Sequence, residues 1–171
     1  LSAHSSVYLL IVPVYDPDRT ILHKSMHSFC TQYRILTISK RDRVMARLKS
    51  IVQCLRHQTA LGAMSLSTSS RLSQAVKLAF NHVDFDYLYI FRIYLTTLML
   101  SYLSKTSLKG RYLDLDDIES LTRTRIAERY RANGLYIQAH LEEQTAQLYE
   151  ALERKFIPEF NKISVCSQKD K

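Results

Sequence analysis

The chain has 171 residues, a length typical of a single domain that can bury a core of its own. Its three glycines and three prolines are few, which argues against a disordered chain and against a turn-rich β-sandwich or barrel. A net charge of +8 favours anionic partners, such as nucleic acid, acidic glycan, acidic lipid or acidic protein. We expect an all-α fold: a single up-and-down bundle of four to five helices with one long central helix.

The chain begins with a short apolar run ahead of the first predicted helix. Residues 7–14 read VYLLIVPV, too short to span a bilayer, and are interpreted as a strand-like arm, an exposed hook or a remnant of signal-like sequence. The first residue is not methionine, so a processed or trimmed product is expected. A helix is predicted from Asp16-Pro17-Asp18 to about Leu36 because aspartate caps helices and proline suits the first turn. The predicted domains are an arm at residues 1–15, the bundle at 16–160 and a tail at 161–171.

Two more helices are predicted before Gly110, a glycine that interrupts the helical pattern. An apolar stripe predicts a helix over residues 40–57, and a Ser-rich loop follows at 62–70. The long central helix is predicted over residues 70–104. Its second half is apolar on every side, which is typical of a buried bundle helix or of a membrane-embedded one. Arg92 would cost about 2.5–3.5 kcal/mol at the centre of a bilayer, so we favour the buried helix.

The last third of the chain predicts two helices. The first begins at Asp114 or Asp116, which would cap it, and Asn133-Gly134 either ends or bends it. The final helix is predicted to stop before Pro158. Its apolar stripe consists of Leu141, Leu148, Leu152 and Phe156.

Arginines recur at helical spacing on two of the predicted helices. Arg43 and Arg47 share a face of the second helix, and Arg125 and Arg129 share a face of the fourth. Two such tracks can bind an extended anionic partner, and a solvated face with acidic neighbours is the alternative for both. The predicted anion-binding residues are Arg43, Arg47, Arg56, Arg125 and Arg129.

Aromatic residues are concentrated in the second half of the predicted central helix. A small bundle cannot bury all of them, and exposed aromatic side chains beside cations are typical of a surface that meets lipid or a partner protein. Core packing is the alternative interpretation. The predicted membrane or partner surface consists of Tyr87, Tyr89, Phe91 and Tyr94.

No motif in the chain predicts catalysis, since nucleophile elbows, phosphate-binding loops and HExxH are all absent. His23 and His27 could share a metal ion, but no third ligand is evident and surface histidines are the favoured interpretation. Cys30, Cys54 and Cys166 fit neither a zinc nor a redox motif, and a Cys30–Cys54 disulfide or three free thiols remain open. We expect no enzyme activity, no metal, no cofactor and no small-molecule substrate.

Five short segments resemble, in order, the helices of one family. Residues 21–26 (ILHKSM) resemble the start of its first helix, 42–45 (DRVM) the opening of its second and 73–80 (SQAVKLAF) its long third. Residues 117–132 resemble its arginine-bearing fourth helix, and 156–160 (FIPEF) the turn near its C-terminus. The family is that of abalone sperm lysin and its fusagenic acrosomal paralogue, which are gastropod gamete-recognition proteins. The lysins carry tryptophans and lack cysteines, unlike this chain, which shifts the resemblance toward a diverged paralogue.

The resemblance implies a secreted helical-bundle protein of the sperm acrosomal vesicle that acts at fertilisation without catalysis. The expected function is to promote sperm–egg membrane fusion through a basic and hydrophobic surface, with egg membrane lipid as the partner. One alternative is a lysin-like stoichiometric binder of egg-coat glycoprotein that opens the vitelline envelope. Another, which the charge alone favours, is a basic helical nucleic-acid-binding protein or organellar complex subunit. A homodimer is left open.

Overall fold

The computed structural model describes residues 5–12, 29–36, 38, 41, 44–45, 48, 70–105 and 107–166. In these residues the fold is mixed α/β, with five strands in two parallel sheets. The predicted all-α up-and-down bundle is therefore wrong.

Strands and helices are interspersed along the described chain. Residues 41, 44, 45 and 48 are helical and fall inside the predicted second helix. The elements are β1 (Tyr8–Ile11), β2 (Gln32–Ile35), α1 (Ser70–Ala79), β3 (Tyr87–Phe91), a 3-10 turn (Ile93–Leu95), α2 (Leu100–Leu103), β4 (Gly110–Asp114), α3 (Glu119–Ala132), α4 (Tyr136–Phe156), a second 3-10 turn (Ile157–Glu159) and β5 (Lys162–Ser164).

The larger sheet has the strand order β3-β4-β5, and all its strands are parallel. The register places Phe91 opposite Asp114, and Asp114 opposite Ser164. Parallel neighbours require crossover connections, which contain α2 in the first case and α3 with α4 in the second. Strands β1 and β2 form a separate parallel pair.

The hydrophobic core lies between one face of the larger sheet and the helices. Leu88, Ile90 and Leu113 contribute from the sheet, and Val76 and Tyr149 from α1 and α4. The hydroxyl of Tyr102 joins α2 to α1, since it donates to the carbonyl of Val76 at 2.9 Å and accepts from the amide of Phe80 at 3.2 Å. Burial raises the pKa of Tyr102.

The predicted central helix over residues 70–104 is three elements instead of one. α1 ends at Ala79, and β3 follows after a turn. In β3 the side chains alternate strictly, with Tyr87, Tyr89 and Phe91 exposed and Leu88 and Ile90 buried. A period of two, aromatic residues and β-branching suit a strand, and these local signals outweigh the apolar composition that predicted a helix.

Two other predicted helix boundaries are wrong. The first helix was expected to reach Leu36, but residues 32–35 form β2; residues 16–28 of that helix lie outside the described residues. Neither Asp114 nor Asp116 caps α3, because Asp114 ends β4 and the N-cap residue is Ile118.

The helix ends predicted from Asn133-Gly134 and from Pro158 are confirmed. α3 ends before Asn133-Gly134, where Gly134 has a positive φ of 74°. α4 ends at Phe156, ahead of Pro158. In the N-terminal run, Tyr8–Ile11 is a strand, which agrees with the strand-like interpretation of that run. The predicted domain boundaries stay a prediction. No helix within the described ranges is both long and apolar enough to cross a membrane.

Candidate functional site

Polar side chains meet where the three parallel strands of the larger sheet end. Arg92 follows β3, Asp114 and Asp116 lie at and after the end of β4, and Cys166 follows β5. The strands are neighbours and run the same way, so their carboxyl ends share one edge of the sheet. Open parallel sheets bind ligands outside this edge. We call Tyr89, Arg92, Asp114, Asp116, Glu119 and Cys166 the carboxyl edge.

Hydrogen bonds from Tyr89 and from the backbone after β4 hold Asp114 as a carboxylate, and a hydrogen bond from the Ser164 side chain on β5 also lowers its pKa. The hydroxyl of Tyr89 donates to Oδ2 at 2.6 Å, and the backbone amide of Asp116 donates to Oδ1 at 3.0 Å. The Tyr89 hydrogen bond is the main reason that the pKa of Asp114 lies below its ordinary value. The same bond raises the pKa of Tyr89, because it stabilises the protonated phenol.

Arg92 and Asp116 form an ion pair across the strand ends, and both have a left-handed backbone. Their φ angles are 74° and 62°, and they are the non-glycine residues with positive φ in the described part of the chain. Aspartate adopts this region several-fold more often than most residues, whereas arginine does so rarely. Strain of this kind costs about 1–3 kcal/mol per residue and is concentrated at functional sites. The Arg92 amide donates to the Asp114 carbonyl at 2.7 Å, which fixes the backbone where it turns.

Glu119 completes the charge pattern at the start of α3. Its Oε1 lies 3.3 Å from Nη1 of Arg92, and its Oε2 lies 3.9 Å from Nε of Arg123. Burial raises the pKa of Glu119, and the two arginines oppose that effect. The backbone amide of Ser120 donates a hydrogen bond to the buried Glu153 of α4 at 3.1 Å. Amides in the first turn of a helix have no acceptor within that helix, so α4 supplies one for α3.

Cys166 hydrogen-bonds to the opposite side of Asp116. Its amide donates to the Asp116 carbonyl at 2.9 Å, and its thiol donates to Oδ1 at 3.2 Å. This bond raises the pKa of the Cys166 thiol. Nucleophilic cysteines need a lowered pKa, so the geometry favours an inert hydrogen-bond donor at this position.

The carboxyl edge is rich in hydrogen-bond acceptors. A carboxylate offers about four lone-pair sites, and Asp116 has two partners, Arg92 and Cys166. The guanidinium of Arg92 is shared by Asp116 and Glu119, so an anionic ligand would have to displace a carboxylate. Among the described residues, no group of three or more acidic, His or Cys side chains could hold a metal ion. The arrangement therefore suits a ligand that donates hydrogen bonds.

The predicted aromatic surface is exposed in three of its four residues. Tyr87, Tyr89 and Phe91 are 59%, 62% and 49% exposed, while Tyr94 is only 7% exposed and belongs to the core. The three exposed rings project from the face of β3 opposite the helices, because alternate side chains of a strand point to opposite faces. The guanidinium of Arg92 lies 5.1 Å from the centre of the Phe91 ring and connects this face to the carboxyl edge.

The predicted arginines are described only in part. Arg125 and Arg129 are exposed on α3, as a solvent-facing track requires. Arg43, Arg47 and Arg56 lie outside the described residues, as do His23, His27 and Cys54. Cys30 and Cys166 are free thiols.

Sequence reasoning missed five of the six carboxyl-edge residues, namely Arg92, Asp114, Asp116, Glu119 and Cys166, and named only Tyr89. Asp114 and Asp116 were interpreted as helix caps, and Arg92 as an obstacle to a membrane span. The available signal was the sequence YLDLDD at residues 112–117, a short apolar strand that runs into acids. Once β4 is placed in a parallel sheet, such acids belong at the edge where ligands bind.

No protein family, curated protein or solved structure matches the chain. The resemblance to the sperm lysin family therefore stays a prediction. The helical bundle that it implies is absent from the described residues, which form a mixed α/β fold.

Proposed function

We propose that the carboxyl edge binds a small hydroxyl-rich ligand, either a sugar or the ribose of a nucleoside. The observation that carries this proposal is the presence of two carboxylates, Asp114 and Asp116, at the carboxyl end of a central parallel strand. Each carboxylate is held in place by hydrogen bonds from neighbouring groups. Carboxylates placed after the strands of dinucleotide-binding sheets accept hydrogen bonds from ribose hydroxyls in the same way. The likeness is one of chemistry and position in a sheet.

The electrostatics of the site support a neutral ligand. The lowered pKa of Asp114 keeps it an acceptor across the physiological range. Arg92 holds Asp116 in place, and its charge is already balanced by Asp116 and Glu119. The exposed ring of Tyr89 lies beside Asp114 and offers an apolar surface on which a sugar ring can rest. A hydroxyl-rich ring with one apolar side fits these groups.

Saturation-transfer NMR with a panel of free monosaccharides and nucleosides tests the proposal. At least one sugar or nucleoside should bind, and Asp114→Asn combined with Asp116→Asn should abolish its signal. Asp84→Asn is the matched control, because the Asp84 side chain is 93% exposed and precedes the amino end of β3, at the opposite end of the strand from the carboxyl edge. Absence of binding across the panel, or binding that survives the double substitution, would reject the proposal.

Membrane attachment during sperm–egg fusion, the function that the resemblance implies, is a second candidate. It is supported by the exposure of Tyr87, Tyr89 and Phe91 on one face of β3. Lipid mixing of labelled anionic vesicles tests it: mixing that Tyr87→Ser with Phe91→Ser removes would support this function, and absence of mixing at any protein concentration would reject it. The expectations of no small-molecule substrate and no enzyme activity stay predictions, and the first would fall if a ligand binds at the carboxyl edge.

A further inference from the structure

The hairpin of α3 and α4 extends beyond the part that packs on the core. Near the start of α3, Ser120 and Arg123 bond to Glu153 and Glu142 of α4. At the other end every residue from 131 to 138 is exposed, and Ala127 is the one buried residue of α3. We call residues 129–137 the hairpin tip.

The hairpin tip exposes three consecutive apolar side chains. Leu135, Tyr136 and Ile137 are 41%, 68% and 76% exposed, at the first turn of α4. Single exposed apolar residues are ordinary in soluble proteins, but contiguous ones mark interaction surfaces. Neither the core nor the hairpin itself accounts for them, because the first buried residue of α4 is Ala139.

Three arginines precede these apolar residues in the last two turns of α3. Arg129 and Arg131 lie in the last turn of α3, and Arg125 lies one turn earlier. Arg131 pairs with Glu143 and is still half exposed. Between residues 120 and 132, Glu128 is the single acid. Cations also suit the C-terminal end of a helix, which explains Arg129 and Arg131 but not the apolar residues next to them.

We propose that the hairpin tip docks onto an anionic membrane surface. Tyr136 and Ile137 insert among the headgroups, where tyrosine is favoured, and Arg125, Arg129 and Arg131 lie beside the lipid phosphates. A protein partner fits less well, because stable protein interfaces bury about 800 Å² per partner and the tip presents three apolar side chains. A nucleic acid would use the arginines but leave Leu135 and Ile137 in water. This inference is independent of any ligand at the carboxyl edge.

The absence of tryptophan from the chain gives a direct test of which surface meets the lipid. In Tyr136→Trp the single indole should shift to shorter wavelength on vesicles of phosphatidylcholine with phosphatidylserine, and brominated lipid should quench it. Tyr87→Trp, on the exposed face of β3, should show neither change. A shift at position 87 without one at 136, or a shift at neither, overturns the proposal.

Vesicle co-sedimentation measures the contribution of each group. Tyr136→Ser with Ile137→Ser should weaken binding at least about tenfold, and so should Arg125→Glu with Arg129→Glu at low salt. Leu78→Ser and Arg71→Glu, both exposed on α1, should bind like the parent chain. Unchanged binding in both tip variants overturns the proposal, as does a parent chain that binds single-stranded oligonucleotides but no vesicles.

Discussion

The carboxyl edge and the hairpin tip are both polar at first sight, but they are built in opposite ways. At the edge, side chains in or directly after three strands and at the start of α3 bond to one another, and two residues adopt a strained backbone. At the tip, two helix ends meet, every residue from 131 to 138 is exposed, and apolar side chains point into solvent. The edge is thus held in one geometry by its partners, whereas the tip is free to meet another surface. Substitutions should affect stability at the edge and the core behind it, and affect binding alone at the tip.

Two tyrosines of the same helix give the largest expected contrast. Tyr149 is only 1% exposed in the core, whereas Tyr136 is exposed at the tip. Tyr149→Ala should lower the free energy of unfolding by about 3–5 kcal/mol, the usual cost of removing a buried aromatic ring. Tyr136→Ala should change it by less than about 0.5 kcal/mol. Urea denaturation followed by circular dichroism measures both, and equal losses would mean that the tip is packed.

Loss of the Arg92 side chain should have the next largest effect on the free energy of unfolding. Arg92→Ala leaves Asp116 without its guanidinium partner and leaves the mostly buried Glu119 with the longer pair to Arg123. We expect a loss of about 1–3 kcal/mol, below the value for a fully buried pair because solvent reaches Arg92 and Asp116. Arg154→Ala is the matched control, since its pair with Glu150 is exposed on α4 and should contribute less than about 0.5 kcal/mol. Equal effects of the two substitutions would contradict a special role for the edge.

Backbone strain at Arg92 can be separated from its charge. Arg92→Gly and Arg92→Ala remove the same guanidinium, but glycine adopts a φ of 74° without steric cost. The glycine variant should therefore be more stable than the alanine variant by about 1 kcal/mol. The opposite order would show that the left-handed backbone at position 92 carries no strain, and the edge would then differ from the tip in its contacts only.

The hydrogen bond between Tyr89 and Asp114 predicts that the free energy of unfolding depends on pH in the acid range. The pKa of Asp114 is lower in the folded state than in the unfolded state. The carboxylate therefore adds to the free energy of unfolding at pH values above its unfolded pKa of about 3.9. That stabilisation is lost as the pH falls through the folded-state pKa. The effect of Glu119 on the free energy of unfolding has the opposite sign: its raised pKa means that ionisation in the folded state costs stability as the pH rises. The difference between Tyr89→Phe and the parent chain isolates Asp114. It should be about 0.5 kcal/mol at neutral pH, small because both groups are well solvated, and should vanish near pH 2.

Unfolding measured from pH 2 to 7 checks this prediction. Tyr87→Phe, on the same strand, is the control and should follow the parent profile. A Tyr89→Phe difference that stays constant with pH would mean that the tyrosine acts through packing and not through the Asp114 carboxylate.

The sequence predicted what local signals determine and missed what depends on pairing between distant residues. The ends of α3 and α4 follow from Asn133-Gly134 and Pro158, which act on their own backbone. The alternation of β3 was readable too, but its apolar neighbours favoured a helix. By contrast, the contact between Asp116 and Cys166 joins positions 50 residues apart through the register of β4 and β5. No local pattern specifies that register, so the carboxyl edge could not be assembled from the sequence.

The smallest effect should appear at Cys166, on the margin of the carboxyl edge. Its thiol donates to Asp116, which raises the pKa of the thiol and lowers its thiolate fraction. Asp116→Asn removes that charge, so iodoacetamide should alkylate Cys166 faster at pH 8 in the variant than in the parent chain. Cys30 serves as the internal control when the labelled peptides are separated by mass spectrometry. If both cysteines accelerate together, local opening is the cause; if neither does, the thiol does not interact with Asp116, and the edge is less tightly connected than its contrast with the hairpin tip requires.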